Sequence, residues 1–285
     1  MSTVQAVRRR RTTPGQRIGR LFSGAALLIV CVIAVFPLAW MVGISLKSGR
    51  QVIDPSVWFF TPTFDHYVDA ITMRGVFDYM ANSAVVAVAT TVLSVTIGAF
   101  AAYGLARFRF ARREDLAFVV LAMRMLPAIA IVIPLFVMAQ TIGLLDTRLV
   151  LVICYMLFNI PFSIWMLRGF FEEIPDAIEE AALIDGCSRA QVLGRIILPL
   201  AAPGLAATSI FCIINSWNEF TFAVFLTSFR ASTLPTTVTQ FLSASGTAWG
   251  PMAAVGVLTI VPMIVFALFV QRYMVKGLAF GGVKA

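Results

Sequence analysis

The chain has 285 residues, of which 60% are hydrophobic and only 13% charged. A soluble domain carries about a quarter charged residues, so this composition excludes an ordinary soluble enzyme and indicates an all-α integral membrane protein. The net charge of +8 does not point to nucleic acid, because the bases lie between apolar runs, where they act as topology signals.

Residues 1–20 form a basic tail with Arg8, Arg9, Arg10 and Arg11 in a row, read as a cytoplasmic segment that fixes orientation. Residues 21–285 are read as a single transmembrane domain. Its first span, 21–46, is free of charge and too long for a secretory signal core. Pro37 is a kink candidate within it. Trp58, Phe59 and Phe60 then read as an interfacial aromatic anchor. The second span, 79–105, carries Asn82 near its outer end, and Gly98 and Gly104 permit close helix contact. A basic loop of Arg107, Arg109, Arg112 and Arg113 follows. The third span, 116–143, is interrupted by Arg124, Pro127 and Pro134, and the fourth, 149–167, contains Asn159 and Pro161. The fifth and sixth are 200–226 and 252–270. With six spans both termini share one side. The bases crowd that side, which places the termini and the 172–199 loop in the cytoplasm.

The loop 172–199 is strongly charged between apolar runs and reads as two short helices with a stop between them. Pro175 suits a first helical position, and Asp176, Glu179 and Glu180 lie near the positive end of the helix dipole. Gly186 suits a left-handed terminus, and Ser188 can cap the next helix. Such a bent amphipathic elbow is shaped to dock against another protein.

Glu180-Ala181-Ala182, then Gly186 after three residues, then Ile196-Ile197-Leu198-Pro199 after nine more, resemble the EAA loop of ABC-importer permeases, with Asp185 before the glycine. Arg124-Met125-Leu126-Pro127, Gly143-Leu144-Leu145-Asp146-Thr147, Leu167-Arg168-Gly169-Phe170-Phe171 and Trp217-Asn218-Glu219-Phe220 extend the likeness to the second permease of maltose-type carbohydrate importers. The resemblance implies a six-transmembrane-helix permease fold with a cytoplasmic coupling helix. Glu180, Ala181, Ala182, Asp185 and Gly186 would form the coupling site. It implies a bacterial inner-membrane protein working with a second homologous permease, two ATPase subunits and an extracytoplasmic sugar-binding protein, surrounded by membrane lipid.

The chain carries no phosphate-binding loop of the G-x-x-x-x-G-K-[ST] type and no G-x-S-x-G or H-E-x-x-H. It is therefore not expected to be an enzyme or to hold a cofactor, and ATP and magnesium belong to the partner ATPases. Cys31, Cys154, Cys187 and Cys212 show no metal spacing, and His66 is the only histidine, so no metal site is expected.

Polar groups inside spans are the pathway candidates. Asn215, Asn218 and Glu219 fall at i, i+3 and i+4, with Phe211 and Phe222 on the same side, which makes a stripe suited to sugar hydroxyls and ring faces. Structural glue between subunits is the alternative for Glu219. Tyr155 and Asn159 form a second row, for which polar glue between helices is the plainer reading. Arg124 reads as an inner gate or one half of a structural pair, and Pro127 as a flexure point or a packed kink. At about 1.5 Å per residue Arg124 lies about 12 Å and Glu219 about 28 Å from the inner end, so a direct pair needs a broken or offset helix. The cargo stays open among sugars, polyols, glycerol phosphate and polyamines, and a self-contained secondary transporter is the reading of a different class.

Overall fold

The computed structural model describes the backbone of residues 14–72, 75–243 and 246–280, and the side chains of these except 14–21, 243 and 272–280. The bases Arg8, Arg9, Arg10, Arg11 and Lys284 lie outside the described residues, and of Arg17, Arg20, Arg272 and Lys276 only the backbone is described.

Helix α1 (Pro14–Leu46) contains Pro37 and packs chiefly on the last helix. Residues 22–39 are exposed within this chain, whereas Trp40, Met41, Gly43, Ile44 and Leu46 are half-buried and Ser45 is buried. Helix α2 (Asp65–Thr72) leads to α3 (Val76–Arg107), which is 32 residues long and contains no proline. Helices α4 (Arg113–Met123) and α5 (Ala128–Thr141) are bent 84° to each other. Helix α6 (Arg148–Glu172) runs parallel to α3, meeting it from Asn82 with Arg148 to Tyr103 with Phe171, and makes the most extensive helix pair with it. The elbow comprises α7 (Asp176–Ile184), α8 (Arg189–Val192), a π turn (Leu193–Ile197) and α9 (Leu198–Leu200). Helices α10 (Ala202–Trp217) and α11 (Thr221–Leu226) follow. A 3-10 segment (Leu234–Phe241) and a small antiparallel hairpin, Leu242–Ser243 with Gly246–Thr247, lead into α12 (Trp249–Phe280).

Among the described residues four helices are long and apolar enough to cross a membrane, and six spans result if each of two bent pairs counts as one. The expected spans at 116–143 and 200–226 are not continuous. In the first, Pro127 cannot donate a backbone hydrogen bond and disfavours helix at Leu126. The chain closes with short turns, Arg124 N–H to Leu121 O and Met125 N–H to Ala122 O, and restarts from Pro127 in extended conformation (ψ 128°). In the second, α10 ends at Trp217 and the Glu219 side chain starts α11.

Among the described residues, three apolar clusters hold the bundle. Val86, Val132, Leu151, Tyr155 and Phe222 pack between α3, α5, α6 and α11. Ala99, Ala102, Tyr103, Leu167, Phe171, Val192 and Ile197 seat the elbow on α3 and α6. Ala70, Val76, Trp217, Leu234 and Val255 close the opposite end. At Gly98 α3 and α6 approach closely: a Cβ there would stand 2.5 Å from the Ser163 Cβ. Gly104, expected to serve the same purpose, faces open space. Gly98→Leu should therefore cost about 1–3 kcal/mol, whereas Gly104→Ala should be near neutral. Thermal unfolding of the two purified variants checks this contrast.

Candidate functional site

The elbow is built from local rules. Pro175 takes the N-cap, one position earlier than expected, and Asp176 opens α7. Gly186 closes it with φ +89°, a backbone angle that side chains other than glycine rarely adopt. Cys187 N–H reaches Ala182 O at 3.0 Å and Gly186 N–H reaches Leu183 O at 3.1 Å, the paired bonds of a Schellman stop. Ser188 and Gln191 form a reciprocal capping box that starts α8.

The coupling candidates divide between two faces. Glu180, Ala181, Asp185 and Gly186 are exposed, with Ile184, 86% exposed, among them. Ala182 turns inward and packs in the cluster under the elbow. The residue that ties the elbow down is Glu179, which sequence reasoning passed over in favour of Glu180. It is 4% exposed. Its carboxylate accepts from the Tyr103 hydroxyl and from Arg107 Nε at 2.9 Å, with Arg189 at 3.6 Å. Arg107 also donates to Ile174 O at 2.8 Å and pairs with Asp176 at 3.0 Å. The available signals were the i, i+3 spacing of Glu179 and Ala182 and the i, i+4 spacing of Tyr103 and Arg107, each putting both residues on one helix face.

The stripe expected along 211–222 is divided by the helix break. Phe211, Asn215 and Asn218 remain exposed on α10 and at its end. Asn218 folds its amide back to Ile214 O at 2.9 Å. Glu219 accepts from Phe222 N–H at 3.1 Å and Ala223 N–H at 3.4 Å. The turn this makes carries Phe222 off the stripe into the core, where it is fully buried against Phe158 and Tyr155, at centroid distances of 5.7 and 6.5 Å. Tyr155 and Asn159 are buried behind it; the Tyr155 hydroxyl faces Glu219 and Thr233. Asn159 donates to Tyr155 O at 2.9 Å and Ser216 Oγ at 3.2 Å. Its Oδ1 has no partner among the described residues.

Arg124 and Glu219 do not pair, although both helices are broken. The Arg124 guanidinium lies 4.4 Å from the Phe162 ring centroid, and Phe162 packs edge-on against Phe211 at 5.8 Å. Pro127 marks the restart of α5 beside this bend.

At the end of the bundle away from the elbow, Asp146 adopts a left-handed backbone (φ 57°) between α5 and α6. Its carboxylate accepts backbone N–H bonds from Ser228, Phe229, Arg230 and Ala231 at 3.0–3.2 Å. Asn82 donates to Arg230 O and Ser232 O at 3.0 and 2.9 Å and accepts from Arg148 Nε at 2.7 Å. Leu234 N–H reaches Ser83 Oγ at 2.8 Å.

This geometry defines a helical membrane protein with an exposed, charged elbow at one end and a stitched loop at the other. The chain belongs to the binding-protein-dependent transport system inner membrane component family, matched over residues 94–279. It is 34% identical over 269 residues to the diacetylchitobiose uptake system permease DasC of Streptomyces coelicolor, covering 93% of this chain and 98% of the relative. It is 37% identical over 260 residues to the trehalose transport system permease SugB of Mycobacterium tuberculosis, covering 88% and 93%. Among solved structures it superposes on a chain of a bacterial ABC transporter involved in the import of the acidic polysaccharide alginate, with a TM-score of 0.75 at 26% identity, covering 92% and 99%.

Burial alone would raise the Asp146 carboxyl, but the N–H groups of Arg230, Ser228, Ala231 and Phe229 outweigh it and hold the group below its ordinary value. A depressed folded value means that the carboxylate contributes stability above the unfolded value of about 3.9 and loses it as pH falls through the folded one. In detergent, Asp146→Ala should unfold at lower temperature than the parent at pH 7, and the gap should close as pH drops below about 4.

Proposed function

We propose that this chain is a transmembrane subunit of an ATP-driven importer of a carbohydrate, forming the pathway together with a second homologous permease. The exposed elbow face carries the reading: Glu180, Ala181, Ile184 and Asp185 form a small-residue and acidic surface around one bare isoleucine, unneeded by this chain's own packing. The named sugar cargoes of DasC and SugB support the carbohydrate class.

In this reading two ATPase subunits hold ATP and magnesium, and this chain binds no cofactor. An extracytoplasmic sugar-binding protein delivers the cargo to the end that carries Asp146. The elbow end is cytoplasmic, in keeping with Arg107, Arg109, Arg112, Arg113, Arg168, Arg189 and Arg195 gathered there, against Lys47, Arg50, Arg148 and Arg230 at the other. Both termini are then cytoplasmic in a bacterial inner membrane.

ATP-driven closure of the partner cleft displaces the elbow, and the paired permeases exchange inward-open for outward-open. Phe211, Asn215 and Asn218 face the pathway, offering a ring face and two amides to sugar C–H and hydroxyl groups. Glu219, Tyr155, Asn159 and Phe222 support that surface from behind. Arg124, stacked on Phe162 at the bend before Pro127, sits where α4 and α5 flex against each other.

Gentle purification of the tagged chain from its native membrane should bring down a nucleotide-binding ATPase and a second apolar permease. A stable, transport-active assembly of this chain alone would overturn the assignment. Gly186→Val introduces no clash, since nothing lies within 4 Å of a Cβ there, but it forces a β-branched residue to φ +89°, at about 1–3 kcal/mol. Membrane abundance should hold while sugar uptake falls and less ATPase co-purifies. Full uptake at equal abundance would remove Gly186 from the coupling site.

A further inference from the structure

Both ends of the molecule are fastened to the same helix. At the elbow end, Tyr103 and Arg107 of α3 hold the buried Glu179 carboxylate, and Arg107 also holds Ile174 O and Asp176. At the other end, Asn82 of α3 holds the carbonyls of Arg230 and Ser232, and Ser83 holds Leu234 N–H. From Asn82 to Arg107 the helix is unbroken, a length of about 37 Å at about 1.5 Å per residue. By contrast, the route through α4 and α5 is bent by 84°, and that from the 189–200 stretch into α10 by 77°. The close approach at Gly98 keeps α3 in register with α6 rather than leaving it free to slide.

We propose that α3 is the rod that couples the two faces of the membrane, with Glu179, Arg107 and Tyr103 as its inner joint and Asn82 and Ser83 as its outer clasp. This rests on the elbow being the ATPase-docking element. When the elbow is displaced, the Glu179 carboxylate cannot leave Arg107 without stranding an ion in a dry site, so α3 follows. The outer clasp then moves the 228–234 segment, the part of the chain also gripped by Asp146. Glu179 is thus a positioning residue that acts through α3, distinct from the exposed Glu180 beside it. Loading of the outer face by a delivery protein reaches the ATPases along the same rod in reverse.

The test is hydrogen–deuterium exchange on the whole importer, purified with its ATPases into nanodiscs, comparing nucleotide-free protein with protein trapped by ATP and vanadate. In the parent, trapping should change exchange at 176–187, at 99–107 and at 228–234. In Glu179→Gln, the change at 176–187 should persist while those at 99–107 and 228–234 disappear. Arg107→Lys, which keeps the charge, should restore part of what Arg107→Ala removes. Should the joint variants fail to assemble, Asn82→Ala probes the outer clasp alone: responses at 176–187 and 99–107 kept, that at 228–234 lost. A response at 228–234 that survives in Glu179→Gln or Asn82→Ala, or that is missing in the parent while the elbow responds, refutes the rod. If the elbow itself ignores nucleotide in the parent, the ATPase-docking reading fails, and the rod with it.

Discussion

Inside a membrane a backbone N–H or C=O that leaves its helix finds no water, so every interruption of a span must carry its own replacement partners. The architecture follows from how this chain meets that demand. The α4–α5 bend is closed by short turns before Pro127, a residue with no N–H to satisfy. The α10–α11 break is closed by the Glu219 carboxylate, which takes up two N–H groups of α11. The stretch before Pro199 takes the form of a π turn, Leu193–Ile197. The irregular places are therefore built, each closed by partners of its own.

The charged elbow poses the opposite problem, since an acidic loop must be fixed to an apolar bundle. Glu179 does this through Arg107 and Tyr103, with both charged side chains almost fully withdrawn from water. Such a pair is weak evidence for stability, yet removing one partner leaves an unpaired ion and costs about 3–5 kcal/mol. Its value lies in specifying one seat for the elbow. The adjacent Glu180 and Ile184 are thereby held outward, where a partner can reach them. The same economy of anchoring recurs at the far end, where one carboxylate, Asp146, gathers successive N–H groups of a loop.

Much of the elbow is legible in the amino-acid sequence, because helix stops and starts are local chemistry. Gly186 in a left-handed stop and Ser188 at an N-cap are decided by their own neighbours within a few residues. The pathway stripe is only half legible. Helical spacing puts Phe211, Asn215, Asn218, Glu219 and Phe222 on one face, which presumes an unbroken helix. The turn at Glu219 keeps the first three exposed and sends Phe222 against Tyr155 and Phe158. Rise per residue separates Arg124 correctly from Glu219, but the seat of Arg124 over Phe162 depends on how far α4 swings from α5.

By itself the sequence determined the apolar stretches, their breakers and the local stops of the elbow, because each of these depends on composition or on spacing within a turn or two of helix, while the class of machine was legible only through the resemblance of its motifs to a known permease family. Only the tertiary structure decided which acid of the Glu179–Glu180 pair is buried, that Asn82 and Asp146 clasp the 228–234 segment, and that Gly98 rather than Gly104 sets the helix crossing. Those contacts join residues that are far apart along the chain, and no local pattern records which side chains the packing of α3 against α6 will bring together. Distance along the chain is the physical divide: hydrogen-bond geometry and proline sterics act over a few residues, whereas burial and ion pairing are settled when helices meet.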